Sequence, residues 1–309
     1  MKVFTLGVHV LDVLVRPVEA IPEGQGATLV EDIRMTAAGT AGGTALTLAK
    51  LGAEVHSAGA VGTDPTGDLL VQLLGKAGIG TEHLVRRTDT ATSASVLPIR
   101  PNGDRPSLHL LGANITYALD DVPWEALAQA THLHLGGPEL IGVEAATRIL
   151  SYAKEHGVVT SVDLLAPGVL GSFEQIEAAL PYVDHFLPNE DQVLGFTGED
   201  DLLTGARKLL AAGTRVVAVT RGGDGALVVT ADGAEPVPAF VVDVVDTTGC
   251  GDAFSAGYLR GIGLGRTPSD AAVLGSAAAA LVAQGLGSDH GDFDLAAADA
   301  FASTAKSRA

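Results

Sequence analysis

The sequence predicts an α/β fold, a doubly wound, mostly parallel sheet flanked by helices. Three observations carry the prediction. From residue 131 onward, short apolar runs alternate with longer helical segments, as in successive β–α units. The chain is 47% hydrophobic with 39 glycines and only 4% aromatic residues, which suits buried parallel strands joined by tight turns. Its 309 residues suffice for one large α/β domain, alone or with a small lid.

In chain order, residues 3–7 read as a short apolar strand. Residues 28–36, 93–99 and 107–111 alternate loosely, as half-exposed strands do, and Pro101-Asn102-Gly103-Asp104 makes a good turn between the last two. Strands are then expected at 132–135, 158–163, 185–188, 216–220 and 226–229. Helical segments are expected at 137–156, 171–179, 202–212, 252–261 and 269–284. The alanine-rich run 271–283 is too short and too weakly apolar for a bilayer and reads as a buried helix. Residues 303–309 read as a frayed tail. In such a sheet, ligands bind outside the carboxyl ends of the strands. Asp12, Asp163, Asn189, Thr220 and the 246–252 loop all fall there.

The net charge of −18 argues against nucleic acid and anionic membranes as partners, since both need a basic surface. A nucleotide remains compatible, because backbone dipoles and a metal ion make a locally positive site. One cysteine excludes an internal disulfide and suits a reducing cytoplasm. The apolar start is too short for a signal peptide before Asp12 interrupts it. There is no Gly-x-x-x-x-Gly-Lys-Ser/Thr loop. No Gly-x-Gly-x-x-Gly opens the first β–α unit, which disfavours a dinucleotide oxidoreductase.

The most informative stretch is Asp246-Thr247-Thr248-Gly249-Cys250-Gly251-Asp252, followed at once by a helix-like run. Small residues just before a helix let backbone N–H groups converge on an anion. A carboxylate beside that cradle is what phosphoryl transfer to a hydroxyl needs. Taken alone, the loop also fits an ordinary glycine-rich β–α turn. A helix start can lower the pKa of a thiol, so Cys250 is either reactive or a buried, inert thiol.

Asp-Thr-Thr-Gly-x-Gly-Asp-x-Phe resembles the C-terminal signature of the ribokinase-like (PfkB) carbohydrate kinases. Four further segments match in order. They are Gly7–Asp12 with Ala38–Gly52, Val61–Gly67, Pro188–Gln192 and Thr220–Ala226. The resemblance implies Asp252 as catalytic base, with Gly249, Cys250 and Gly251 forming the anion hole. It implies acceptor binding by Asp12, Gly39, Thr40, Gly42, Gly43 and Asp163, and ATP binding by Asn189, Thr220, Gly222, Gly225 and Thr248. It further implies Mg2+ through water near Asn189 and a monovalent cation, K+, at Asp246 and Thr248. A β lid over the acceptor, formed by about residues 12–38 and 93–112, also follows, and apolar lid strands of that kind pair two subunits into a homodimer.

Two departures bear on specificity. Gly43 replaces a substrate-contacting asparagine, and Gln192 replaces the glutamate of Asn-x-x-Glu. The expected function is ATP-dependent phosphorylation of a sugar or sugar acid. Nucleoside and sugar-phosphate kinases of the same family are alternatives, and a non-catalytic sugar or nucleotide sensor is a more distant one. Arg100 and Arg105 flank the lid turn, where they are either solvated or meet a substrate phosphate. His132 and His134 share a strand face, and Asp289–Asp294 reads as a solvated loop near the nucleotide.

Overall fold

The structure is a computed structural model that describes residues 1–101, 104–165 and 172–308. The chain opens with β1 (Lys2–Gly7), β2 (Val10–Arg16) and β3 (Asp32–Ala38). It continues through α1 (Thr40–Lys50), β4 (Glu54–Gly62), α2 (Pro65–Lys76), β5 (Gly80–Arg87), β6 (Ala94–Pro98) and β7 (Leu108–Leu110). The second half runs α3 (Trp124–Leu127), β8 (His132–Gly136), α4 (Pro138–Ile141), α5 (Val143–Glu155), β9 (Val159–Asp163), α6 (Glu174–Glu177), β10 (His185–Phe186), α7 (Glu190–Thr197) and α8 (Leu202–Ala211). It closes with β11 (Val216–Thr220), β12 (Ala226–Thr230), β13 (Gly233–Val237), α9 (Cys250–Gly263), α10 (Pro268–Val282) and α11 (Leu295–Thr304).

Nine strands form one sheet in the order β13-β12-β11-β10-β9-β8-β1-β4-β5. From β11 to β5 every neighbouring pair is parallel, and β12 and β13 add an antiparallel edge. Alternate residues of each strand serve opposite cores. Phe4, Leu6, Leu133, Val162 and Phe186 pack on one face, and Val3, Val55, Val61 and Val216 pack with Phe254 and Tyr258 of α9 on the other. A sheet covered on both faces favours apolar strands, as at β11, and the polar residues it does bury are hydrogen-bonded, as Thr5 is to Ser57 and His134 to Ser161.

A second, four-stranded sheet has the order β3-β2-β6-β7 and stands over the carboxyl ends of the main strands as a lid. Asp12 pairs with Thr36 on one side and Ser95 on the other, and Ser95 pairs with His109. This row faces the main sheet. The side chains between, such as Met35 and Val96, face away and are exposed.

Several boundaries differ from expectation. The strand expected at 28–36 begins only at Asp32 and runs to Ala38, and β2 had no counterpart in the reading of the sequence. The 137–156 helix is split at Gly142, whose φ of 84° ends α4 and begins α5. The tail is not frayed: Lys306 accepts from the Val241 N–H at 2.8 Å, and Arg308 donates its N–H to the Ala239 carbonyl at 2.7 Å. Asn102 and Gly103 of the expected turn, and Gly171 at the start of the expected 171–179 helix, lie outside the described residues.

The Val61–Gly67 motif anchors the lid. Asp64 caps α2 by accepting from the Gly67 N–H at 2.8 Å, and it also accepts from the N–H and hydroxyl of Thr92, at 2.8 and 2.7 Å, where the chain enters the lid. Together these bonds hold its carboxyl below the usual range, although burial works the other way. Asp64→Ala is expected to cost about 1–2 kcal/mol, the scale of a lost N-cap, read as a lower urea midpoint at pH 7. An unchanged midpoint would refute the role of Asp64.

Candidate active site

The 246–252 loop is shaped by its first residue. Asp246 is almost fully buried, and one carboxylate oxygen accepts from the N–H and hydroxyl of Thr248 at 3.0 and 2.8 Å. The other accepts from the Gly287 N–H at 3.0 Å, tying the loop to the segment after α10. Gly249 then begins α9 with φ 77°, a left-handed conformation that glycine adopts without strain. The Cys250 N–H donates to the Thr247 carbonyl at 3.2 Å. The N–H groups of Gly251 and Asp252 have no acceptor in the helix, as at any helix start, and present a positive dipole end.

Asp252 lies in the first turn of α9 with its carboxyl against α1. A Cβ on Gly43 would stand 2.3 Å from its Oδ2. The departure at Gly43 therefore makes the space in which this carboxyl sits. His9 is buried behind the same helix. It exchanges backbone hydrogen bonds with the Asn114 amide at 3.1 and 2.9 Å and packs on Gly42.

Two cavities meet at this loop. The larger, about 540 Å³, lies between the lid and the carboxyl ends of the main strands, and its walls include Asp12, Gly39, Thr40, Asp163, Asn189 and Asp252. The smaller, about 220 Å³, is mostly apolar, with Gly222, Gly225, Phe240, Val242, Ala279 and Ala280 around it. Thr220, Thr247 and Gly251 line both. Of the residues assigned from the sequence, Gly42, Gly43 and Asp246 line neither cavity. They act from behind, through packing and bracing.

The larger cavity concentrates carboxyls. Burial and the nearby Asp12 push Asp252 up to about 7, with Arg105 pulling the other way. Burial raises Asp12 to about 6, against the Ser95 hydrogen bond and Arg105. Asp163 is pushed well above the usual carboxylate range, first by burial and then by Asp252. Arg105 reaches down from the lid, and its Nε donates to the Thr247 hydroxyl at 3.1 Å.

One alternative falls away and two expectations need correction. Cys250 is not a reactive thiol: burial, then the charge of Asp246, pushes it up to about 12. Its Sγ instead donates to the Ala279 carbonyl at 3.6 Å. Gln192 is not merely a lost glutamate. Its Oε1 accepts from the Asn189 N–H at 2.7 Å while Asn189 Oδ1 accepts from its N–H at 2.8 Å. Its amide nitrogen donates to the carbonyls of Leu164 and Leu165 at 2.8 and 3.0 Å, which a carboxylate cannot do. The loop at Asp289–Gly291 is not simply solvated either, since Lys50 donates to three successive carbonyls there at 2.6–2.7 Å.

His134 bonds Ser161 and the Thr40 carbonyl, and His132 bonds Thr131; burial lowers both to about 4. The sequence reading missed Asn114, Ser95, His109 and Ser288. Each is an ordinary polar residue outside any motif, brought to the site only by strand register and loop packing.

The model of the pfkB family carbohydrate kinases matches residues 3–292 of the chain. An adenosine kinase of Schizosaccharomyces pombe is 30% identical over 240 residues, 71% of this chain and 70% of that protein. An ATP-dependent ribose-1-phosphate kinase of Halopiger xanaduensis is 29% identical over 84% of each chain. The crystal structure of a putative ribokinase from Agrobacterium tumefaciens superposes with a TM-score of 0.86 at 24% identity, covering 98% of this chain and 97% of that one. The chain belongs to the pfkB family of carbohydrate kinases and is a phosphotransferase acting on an alcohol group.

Proposed function

We propose that the protein is an ATP-dependent kinase that phosphorylates a hydroxyl of a sugar or sugar acid, with Asp252 as general base. The observation that carries this is the meeting of two cavities at one helix start. The polar cavity suits a polyhydroxyl acceptor and the apolar, glycine-lined one suits a nucleotide base. The phosphoryl group would pass beside Thr220, Thr247 and Gly251, which line both cavities.

Asp12, on the inner row of the lid, accepts hydrogen bonds from acceptor hydroxyls. Asp252 takes the proton of the reacting hydroxyl as its oxygen bonds to the γ-phosphorus and the bond to the leaving ADP oxygen breaks. The backbone of Gly249–Gly251 and the α9 dipole hold charge on the group in transfer. Bound Mg2+ would neutralise phosphate charge, and Asn189, at the wall of the larger cavity, would hold part of its water shell. The Asp246 carboxylate and the buried Ser288 hydroxyl, which has no partner among the described residues, would suit a K+ ion beside the loop. The single cysteine suits a reducing cytoplasm.

One observation favours a second reading, a sugar-phosphate acceptor: Arg105 is a cation at the lid side of the polar cavity. A nucleoside is less well served. Among the described lining residues there is no Phe, Tyr or Trp, and His109 supplies the one aromatic ring on which a base could stack.

The test is ADP release with ATP and Mg2+ against pentoses, ketohexoses, sugar acids, sugar phosphates and nucleosides. A free sugar or sugar acid is expected to be preferred. Preference for a phosphorylated sugar, abolished by Arg105→Ala, would establish the second reading.

Asp252→Asn is expected to lower kcat roughly 10²–10⁴-fold, with ATP binding little changed. Near-normal turnover would refute the assignment. The rate should climb with pH through about 7 as Asp252 ionises. Stability should move the other way. The folded carboxyl binds its proton up to about pH 7 while the unfolded one loses it near 4, so the native state holds more protons between and stability falls as pH rises across that window. Asp252→Asn should therefore melt higher than wild type at pH 8 and show no such gain below pH ~4.

Gly43→Ala is expected to displace the Asp252 carboxyl and cost roughly 10²-fold in kcat, the scale of a 1 Å misplacement, leaving the KM for ATP unchanged. Unaltered kcat would show that the carboxyl does not depend on this space.

The lid's outer face exposes Ile33, Met35, Val96, Leu108 and Leu110, and we assign it to a second copy of the chain. Light scattering should give a dimer for the wild type and a monomer for a Met35→Glu, Leu108→Glu variant. A monomeric wild type would contradict this.

A further inference from the structure

We infer that the β4–β5 edge of the main sheet carries a Zn2+-class metal site built from His56, Glu82 and His83, away from both cavities. A ligand atom from each of the three lies within 4.8 Å of the others. Glu82 Oε1 sits between the imidazoles, 2.5 Å from His56 Nδ1 and 3.7 Å from His83 Nε2. Two imidazoles and one carboxylate are the donor set of Zn2+, Ni2+ and Cu2+ rather than of Mg2+ or Ca2+.

The backbone is arranged to make this cluster. His56 pairs with Gly80 but Ala58 pairs with His83, so two steps of β4 face three of β5. Successive strand residues ordinarily point to opposite faces. The extra residue of this bulge brings Glu82 and His83 to the same side, where both meet His56. Gly80 leaves the room: a Cβ there would stand 2.6 Å from His56 Nδ1 and 2.8 Å from Glu82 Oε2.

Phe4 stacks on His56 at 5.7 Å and lies 5.3 Å from His83, walling the inner side. Glu54 Oε1 lies 3.3 Å from His56 Nε2, the partner that fixes a ligating histidine with its proton on the outer nitrogen. The imidazoles keep 22% and 26% of their side-chain surface, so an ion reaches them from solvent.

The site rests on no part of the kinase reading, and turnover serves only to confirm that variants are folded.

The test uses the untagged, metal-depleted full chain, titrated with Zn2+ at pH 7 by calorimetry. One ion per chain is expected, with a higher melting temperature in its presence. His56→Gln and His83→Gln are each expected to weaken binding by at least the roughly 10–100-fold that loss of an outer-shell partner costs, and to keep wild-type turnover. No binding by the wild type, or undiminished affinity in both variants, overturns the inference. Should the variants misfold, Co2+ added to the wild type decides. Visible bands of a nitrogen–oxygen site support it, and thiolate charge-transfer bands would put the ion on Cys250 and overturn it.

Discussion

The site depends on one close approach, the Asp252 carboxyl at the start of α9 against the backbone of α1 at Gly43. Several hydrogen bonds brace the segments around this approach. Asp246 fastens the loop before α9 to the segment after α10, and Lys50 at the end of α1 fastens to the same segment at Asp289–Gly291. His9 and Asn114 fix the chain beneath Gly42. The large sheet supplies the platform, because its parallel strands end together beneath these helices.

That arrangement sets the electrostatics. Asp12, Asp163 and Asp252 are buried carboxyls around one cavity, with Arg105 as the cation that lowers both Asp12 and Asp252. Burial penalises each charge, Asp12 raises Asp252 and Asp252 raises Asp163, so the three cannot all ionise readily at neutral pH. A carboxyl poised near 7 is matched to general-base work, where a strongly ionised one would have little affinity for a proton. The same shifts destabilise the fold as the pH rises, the usual cost of a cavity built for chemistry.

Much of this was legible in the chain. The apolar run at β11 is buried on both faces, while β8 and β9 keep Leu133, Leu135 and Val162 among buried polar residues and read as strands from their place between helical segments. The 246–252 loop announced itself because small residues, an αL glycine and an acidic residue must sit together for a helix start to hold an anion. The lid was harder. β2 is Val-Leu-Asp-Val-Leu-Val-Arg, and the buried Asp12 in its inner row obscures its alternation.

The reach of Arg105, the stapling by Gln192 and the bulge beside Gly80 depend on register and loop packing, which no local pattern encodes. At Cys250 the helix dipole and burial pull in opposite directions, and burial wins. Gly43 looked like a missing contact in the sequence. In the structure its missing Cβ is its contribution.

The central claim is that Asp252 is held as a carboxyl with a pKa near 7. Carbon-13 NMR of aspartate carboxyls, titrated in the wild type and in Asp252→Asn, measures this directly. The account predicts one carboxyl titrating near pH 7 in the wild type and absent from the variant. An Asp252 signal titrating near 4, like a solvent-exposed aspartate, would contradict it.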